Sequence, residues 1–194
     1  PYGHFKSQFI FDQNDHDDGE KEFLGNKGNF NGEDIIEIIV KTDACAKFIS
    51  RHLYNFFVAD EPQIPAWSIE PPKDQEAMDI LVKTFLDSDA DMKEVMRTMF
   101  KSEFFKNSMF KRVKCPAEFI ASTLKLTSEI GPKDSRLSGL HGLSTVMGQT
   151  LLDPPTVEGW HTGKEWIDGG SLTERINYAV DLISDMENVG SKFL

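Results

Sequence analysis

Thr42-Asp43-Ala44-Cys45-Ala46-Lys47-Phe48-Ile49-Ser50-Arg51-His52-Leu53-Tyr54-Asn55-Phe56-Phe57 is the stretch that decides the fold. Its apolar residues, Ala46, Phe48, Ile49, Leu53, Phe56 and Phe57, follow helical steps and not the alternation of a strand. They cover a wide stripe. A stripe that wide needs cover from several neighbours, so this helix, opened by Thr42 or Asp43, belongs at the centre of a core. His52, beside Leu53, reads as a core histidine with a satisfied ring, and Cys45 as a small core residue.

The flanking segments agree with a helical protein. Before it, Asn31 is a cap residue, Glu33 and Asp34 suit a first turn, and Ile35, Ile36, Ile39 and Val40 repeat at helical spacing. After it, Pro62, Pro65, Pro71 and Pro72 make 59–72 a connector that cannot be helical throughout, with Trp67 and Ile69 as its anchors. A helix is expected from about Lys73 to Leu86, carrying Met78, Leu81, Val82 and Phe85 inward. Asp89 is expected to cap another over 90–101, with a short turn at Ser102–Phe105. Pro116 opens a helix whose Phe119, Ile120, Leu124 and Leu126 face inward and which Gly131–Pro132 closes. Asp134 or Ser135 starts the next, through Leu140, Leu143 and Met147, and Pro154–Pro155 stops it. Ser171 or Thr173 caps the last.

The expectation is an all-α, irregular multi-helix domain with about seven helices and two long loops. A minor N-terminal hairpin is expected, pairing Phe9–Ile10–Phe11 with Glu22–Phe23–Leu24. It is a single domain over 1–194: an irregular arm at 1–32, helices over 33–147, a Pro/Gly/Trp loop over 148–170 and the last helix over 171–187.

Composition bounds the function. The 194 residues carry 32 acidic against 21 basic side chains, a net charge of −11, which argues against nucleic acid as a partner because phosphate contacts need clustered Lys and Arg. The densest basic run, Lys106 to Lys114, reads as a solvated loop. No apolar run is long enough to span a membrane. Cys45 and Cys115 belong to no CxxC pair, and a disulfide between them stays open at this point. The chain starts at Pro1 inside what reads as a structured segment, so it is expected to be a fragment or a processed chain.

Three blocks carry a resemblance. The first is His16-Asp17-Asp18-Gly19-Glu20-Lys21-Glu22-Phe23-Leu24-Gly25, the second Lys114-Cys115-Pro116-Ala117-Glu118. The third is Gly148-Gln149 followed by Pro154-Pro155-Thr156-Val157-Glu158-Gly159-Trp160, then Trp166 and Arg175. In this order they resemble a bacterial family, domain of unknown function 1800. The resemblance implies the C-terminal half of such a domain, since nothing here is similar to the family's Asn-Glu-Asn…Arg-Glu-Leu block. It therefore implies a missing N-terminal half, or another protein chain, as partner. It also implies an exported protein, extracellular or periplasmic, and supplies no activity.

The residues themselves offer a few constellations. Asp15, His16, Asp17 and Asp18, on a loop with Asp12, Asn14 and Glu20, are the candidate metal ligands, and the dense oxygen donors suit calcium. The spacing is not that of an EF-hand, because position twelve falls on Gly25 where a bidentate Glu is needed. The competing reading is a solvated turn whose Asp and Asn side chains cap local backbone. Trp160, His161, Trp166 and Gln149 are candidate binding residues. Exposed tryptophans could stack on a polysaccharide; buried ones would anchor the loop through their indole N–H groups. Glu118 is expected to ion-pair with Arg175 or Lys114. No GxSxG, P-loop, Rossmann fingerprint or HExxH occurs. The leading expectation is a non-catalytic or accessory module that binds a partner chain or surface polymer. Its rivals are a metal-dependent hydrolase with a site between the His16 and Trp160 loops, and a cell-surface structural component.

Overall fold

The structure is a computed structural model, and it describes residues 8–127 and 137–190. Among them are a two-stranded sheet, β1 (Lys21–Phe23) and β2 (Asn26–Gly28), and eight helices. The helices are α1 (Gly32–Val40), α2 (Asp43–Phe57), α3 (Gln75–Asp87), α4 (Met92–Lys101), α5 (Glu103–Lys106), α6 (Pro116–Thr127), α7 (Leu137–Val146) and α8 (Gly169–Gly190). The all-α expectation holds. The Gly131–Pro132 stop and the Asp134 or Ser135 start fall outside the described residues.

The hairpin differs from the expected one. Glu22 and Phe23 are in it, but their partners are Lys27 and Asn26, not Phe9–Phe11. Leu24 and Gly25 form the turn with φ of 48° and 79°, the pair of positive values that matches strand twist in a two-residue hairpin loop.

The caps explain the helix boundaries. Asn31 accepts from Glu33 N and Asp34 N while Asp34 returns a bond to Asn31 N, a closed capping box. Thr42 accepts from Cys45 N, and Asp74 accepts from Ala77 N, which starts α3 two residues later than Lys73. Asp89 does not cap α4. Asp89 and Ala90 take φ of 53° and 61°, and Asp91 becomes the cap by accepting from Lys93 N.

α2 is central, as its stripe requires. Ala46, Tyr54, Val58, Ala77, Met78, Leu81, Phe85, Val95 and Met99 form the main core where α2, α3 and α4 pack. Two of the six stripe residues are not in it: Phe48 is 52% and Phe56 57% exposed. The wheel turns so that Ala46, Ser50 and Tyr54 face α3, leaving these two rings on the flanks. Phe48 lies edge-on to His52 and Trp67, and Phe56 lies beneath the Arg112 guanidinium. His52 is accordingly half-buried between two rings and not inside the core; burial lowers its pKa. Ile36 and Ile39 of α1 and Leu126 of α6 are also exposed, contrary to their apolar spacing.

A second packing centre is built by α6, α7 and α8. Ile120 and Leu124 of α6, Met147 and Trp166 are buried there with Ser144, Ser171 and Arg175. Tyr178 of α8 donates its hydroxyl to Ile120 O at 3.3 Å, and its ring meets Phe119.

Candidate functional site

The second and third sequence blocks meet at the amino end of α6. Pro116 holds the first helical position, where its missing N–H leaves nothing unsatisfied. Cys115 N donates to Glu118 Oε2 at 3.1 Å, the return arm of a capping box. Ala117 N donates to Gln149 Oε1 at 2.8 Å, so Gln149, buried, acts as a cap from the far side of α7. Arg175 Nη1 donates to Lys114 O at 3.1 Å and its guanidinium lies over the Phe119 ring.

The cation of Glu118 is neither Arg175 nor Lys114. Arg112 Nη2 reaches both carboxylate oxygens at 2.8 Å. The reason is reach: Lys114 Nζ turns along α6 to Ser122 Oγ, and Arg175 is occupied by the Lys114 carbonyl. Burial opposes the Glu118 charge, but the Arg112 guanidinium and the Cys115 N–H outweigh it and hold the carboxyl below its usual range. Burial pushes the Cys115 thiol up, with Glu118 and Gln149 as its hydrogen-bonding neighbours. Cys45 and Cys115 are both free thiols.

The Pro/Gly/Trp loop is stitched to the 59–72 connector. Gln63 Nε2 donates to Thr162 O at 3.0 Å, and Thr162 Oγ1 returns a 3.4 Å bond to Gln63 Oε1. Gly163, at φ +61°, lies so close that a Cβ there would sit 3.1 Å from Asp60 Cβ. Asp60 also accepts from Val113 N at 2.9 Å and, through its carbonyl, from Lys73 Nζ; burial raises its carboxyl pKa. Trp166 is 5% exposed, so it is an anchor and not a stacking platform. Trp160 is half-buried, its Nε1 enclosed and without an acceptor among the described residues, and exposed His161 pairs with Glu165 at 2.6 Å.

The His16 loop is organised around itself. His16 Nδ1 meets Asp18 Oδ1 at 2.9 Å, Asp17 Oδ1 accepts from Gly19 N, and Asp12 Oδ1 accepts from Asn14 N. The last two are Asx-type contacts that satisfy the turn's own backbone. Among the described residues, Asp15, His16, Asp17 and Asp18 are not gathered round a common point. Nor does any hydrogen bond, ion pair or ring contact of His16, Asp17 or Asp18 reach the Trp160 loop.

An open cleft of about 710 Å³ lies elsewhere, between α2, α3 and the connector. Phe48, Trp67, Ile69, Pro71, Met78 and Val82 give it an apolar wall. Beneath it, Arg51 and Glu61 form a buried ion pair with Nε to Oε2 at 2.8 Å. Arg51 further donates to Trp67 O, Glu70 O and Pro71 O, while Glu61 Oε1 accepts from Lys73 N. This pair sets the path of the connector and hence the shape of the cleft. Sequence reasoning missed it, although Pro-rich connectors lack N–H donors and leave carbonyls that a buried arginine can take.

Over residues 3–193 the chain matches the family described as Protein of unknown function (DUF1800), and it belongs to that family. No curated protein and no solved structure matches it.

Proposed function

We propose that this family member is a non-catalytic helical module that binds a partner polypeptide through the α2–α3 cleft. The observation that supports it is the cleft itself: Phe48 and Ile69, 52% and 82% exposed, flank a preformed apolar groove whose floor is locked by the Arg51–Glu61 pair. The rim selects the partner's chemistry. Glu70 and Asp79 line it against two cations that are both already paired, Lys47 with Asp43 at 2.6 Å and buried Arg51 with Glu61. The fitting partner is a segment with apolar anchors flanked by Lys or Arg. The residues of the α6 clasp agree with a non-catalytic role, because Glu118 and Gln149 are engaged in capping.

The test uses three short peptides of one pattern, Leu/Lys, Leu/Glu and Ser/Lys, titrated calorimetrically. The Leu/Lys peptide should bind, and Ile69→Glu should weaken it by about tenfold or more, as loss of an anchor does. Equal binding of the Leu/Glu peptide, or an Ile69→Glu protein that binds unchanged, overturns the proposal.

A further inference from the structure

A second groove, about 540 Å³, runs between α6 and α7, and its character is different. Its walls are Ile120, Ala121, Leu124, Leu137, Leu140 and Leu151. Two basic side chains border it, Lys125 from α6 and His141 from α7. Both are exposed, and neither has a hydrogen-bond or ion-pair partner among the described residues. Ser144, also in the lining, has its hydroxyl on the His141 carbonyl at 2.9 Å. The groove thus joins an apolar trough to an uncommitted ammonium and an uncommitted imidazole, in a chain whose net charge is −11.

We propose that this groove binds a free long-chain carboxylate, with the hydrocarbon along the α6–α7 trough and the carboxylate at Lys125 and His141. The argument is one of complementarity. A volume near 540 Å³ is in the range of small-molecule sites, and a leucine-lined trough favours a flexible alkyl chain over a polar ligand. The Lys125 ammonium supplies a full positive charge and several donors for an anion, and the His141 imidazole adds a ring N–H, so the rim favours a carboxylate over a cationic head group. The site is separate from the α2–α3 cleft and does not depend on the partner-binding proposal.

The chain's overall charge makes the test sharp, because a non-specific acidic surface attracts cationic amphiphiles and repels anionic ones. Decanoate, dodecanoate and dodecyltrimethylammonium are titrated calorimetrically below their micellar concentrations. Dodecanoate should bind, more tightly than decanoate by about fifteenfold for two added methylenes, and more tightly than the cationic amphiphile. Lys125→Glu should weaken dodecanoate by about tenfold or more. Ala121→Trp, which fills the trough from an exposed position, should abolish binding, with circular dichroism and Tm showing that both variants fold. The proposal is overturned if the cationic amphiphile binds as tightly as dodecanoate. It is equally overturned if Lys125→Glu has no effect, or if affinity is independent of chain length.

Discussion

Replacing Glu61 by Gln tests the device on which the α2–α3 cleft rests. The substitution keeps side-chain volume and one acceptor, so Lys73 N can keep its 3.0 Å bond, but it removes the charge and turns an NH₂ toward Arg51 Nε. Arg51 is 6% exposed, and its other three bonds go to neutral carbonyls. It is left as an uncompensated buried cation, a change that costs about 3–5 kcal/mol. At roughly 2–4 °C per kcal/mol for a domain of this size, Tm should fall by about 10 °C. Arg51→Met with Glu61→Leu removes both charges but takes their partners from the carbonyls of Trp67, Glu70 and Pro71 and from Lys73 N–H, so it should be less unstable than the sum of its singles while staying below the parent. Thermal melts by circular dichroism on Glu61→Gln, on Arg51→Met and Glu61→Leu singly, and on the double variant decide it. A Glu61→Gln loss below about 1 kcal/mol, or a double variant as unstable as the sum of its singles, refutes the reasoning.

Gly163→Ala should lower stability by roughly 2 kcal/mol, from the left-handed backbone and the 3.1 Å approach to Asp60, measured by urea unfolding. Glu118→Gln should be less stable than the parent at neutral pH, with the gap closing as pH falls below about 4 in a series of melts. The sign follows from a carboxyl held below its usual range: its contribution is present above the unfolded pKa and is lost as pH falls through the folded one. Arg175→Met should cost less than about 1 kcal/mol, because among the described residues the guanidinium has one carbonyl acceptor, no carboxylate, and Nε and Nη2 enclosed without partners. A loss as large as that of Glu61→Gln would show that Arg175 meets an anion in solution.

Local chemistry was legible in the sequence, and tertiary choice was not. Asn31, Thr42 and Pro116 act at helix starts as their residue types dictate, because capping is settled within one turn. The 59–72 connector was legible from its prolines. Periodicity also identified α2, but it gives only the width of a stripe and not which part neighbours will cover, so Phe48 and Phe56 were placed inside when they lie at its edges. The hairpin was misplaced because its turn puts Leu24 at positive φ, where Asn or Asp would have been the recognisable signal. The Arg51–Glu61 and Arg112–Glu118 pairs were illegible for a shared reason. Arg51, Glu61 and Arg112 carry no local signal of pairing, Arg112 lying in a run that reads as solvated, so Glu118 was expected to pair but with another cation; the choice is made by the loops that fold over them.

The two buried arginines show how the sequence blocks divide their work. Arg51 lies outside all three blocks and has a carboxylate and three carbonyls; Arg175 belongs to the third and has one carbonyl. If the blocks marked only stability, the better-satisfied arginine would be expected within them. Instead the second and third blocks converge on the start of α6, where Glu118, Gln149 and Arg175 each terminate a backbone group of residues 114–117. What they specify is the position at which α6 begins and its attachment to the 148–166 loop and α8. α6 is also one wall of the leucine-lined groove, with Lys125 two turns beyond Glu118. A clasp that fixes the helix at its first turn fixes the placement of Ile120, Ala121, Leu124 and Lys125 against α7. Disturbing Gln149 should therefore alter dodecanoate affinity without any contact between Gln149 and the ligand.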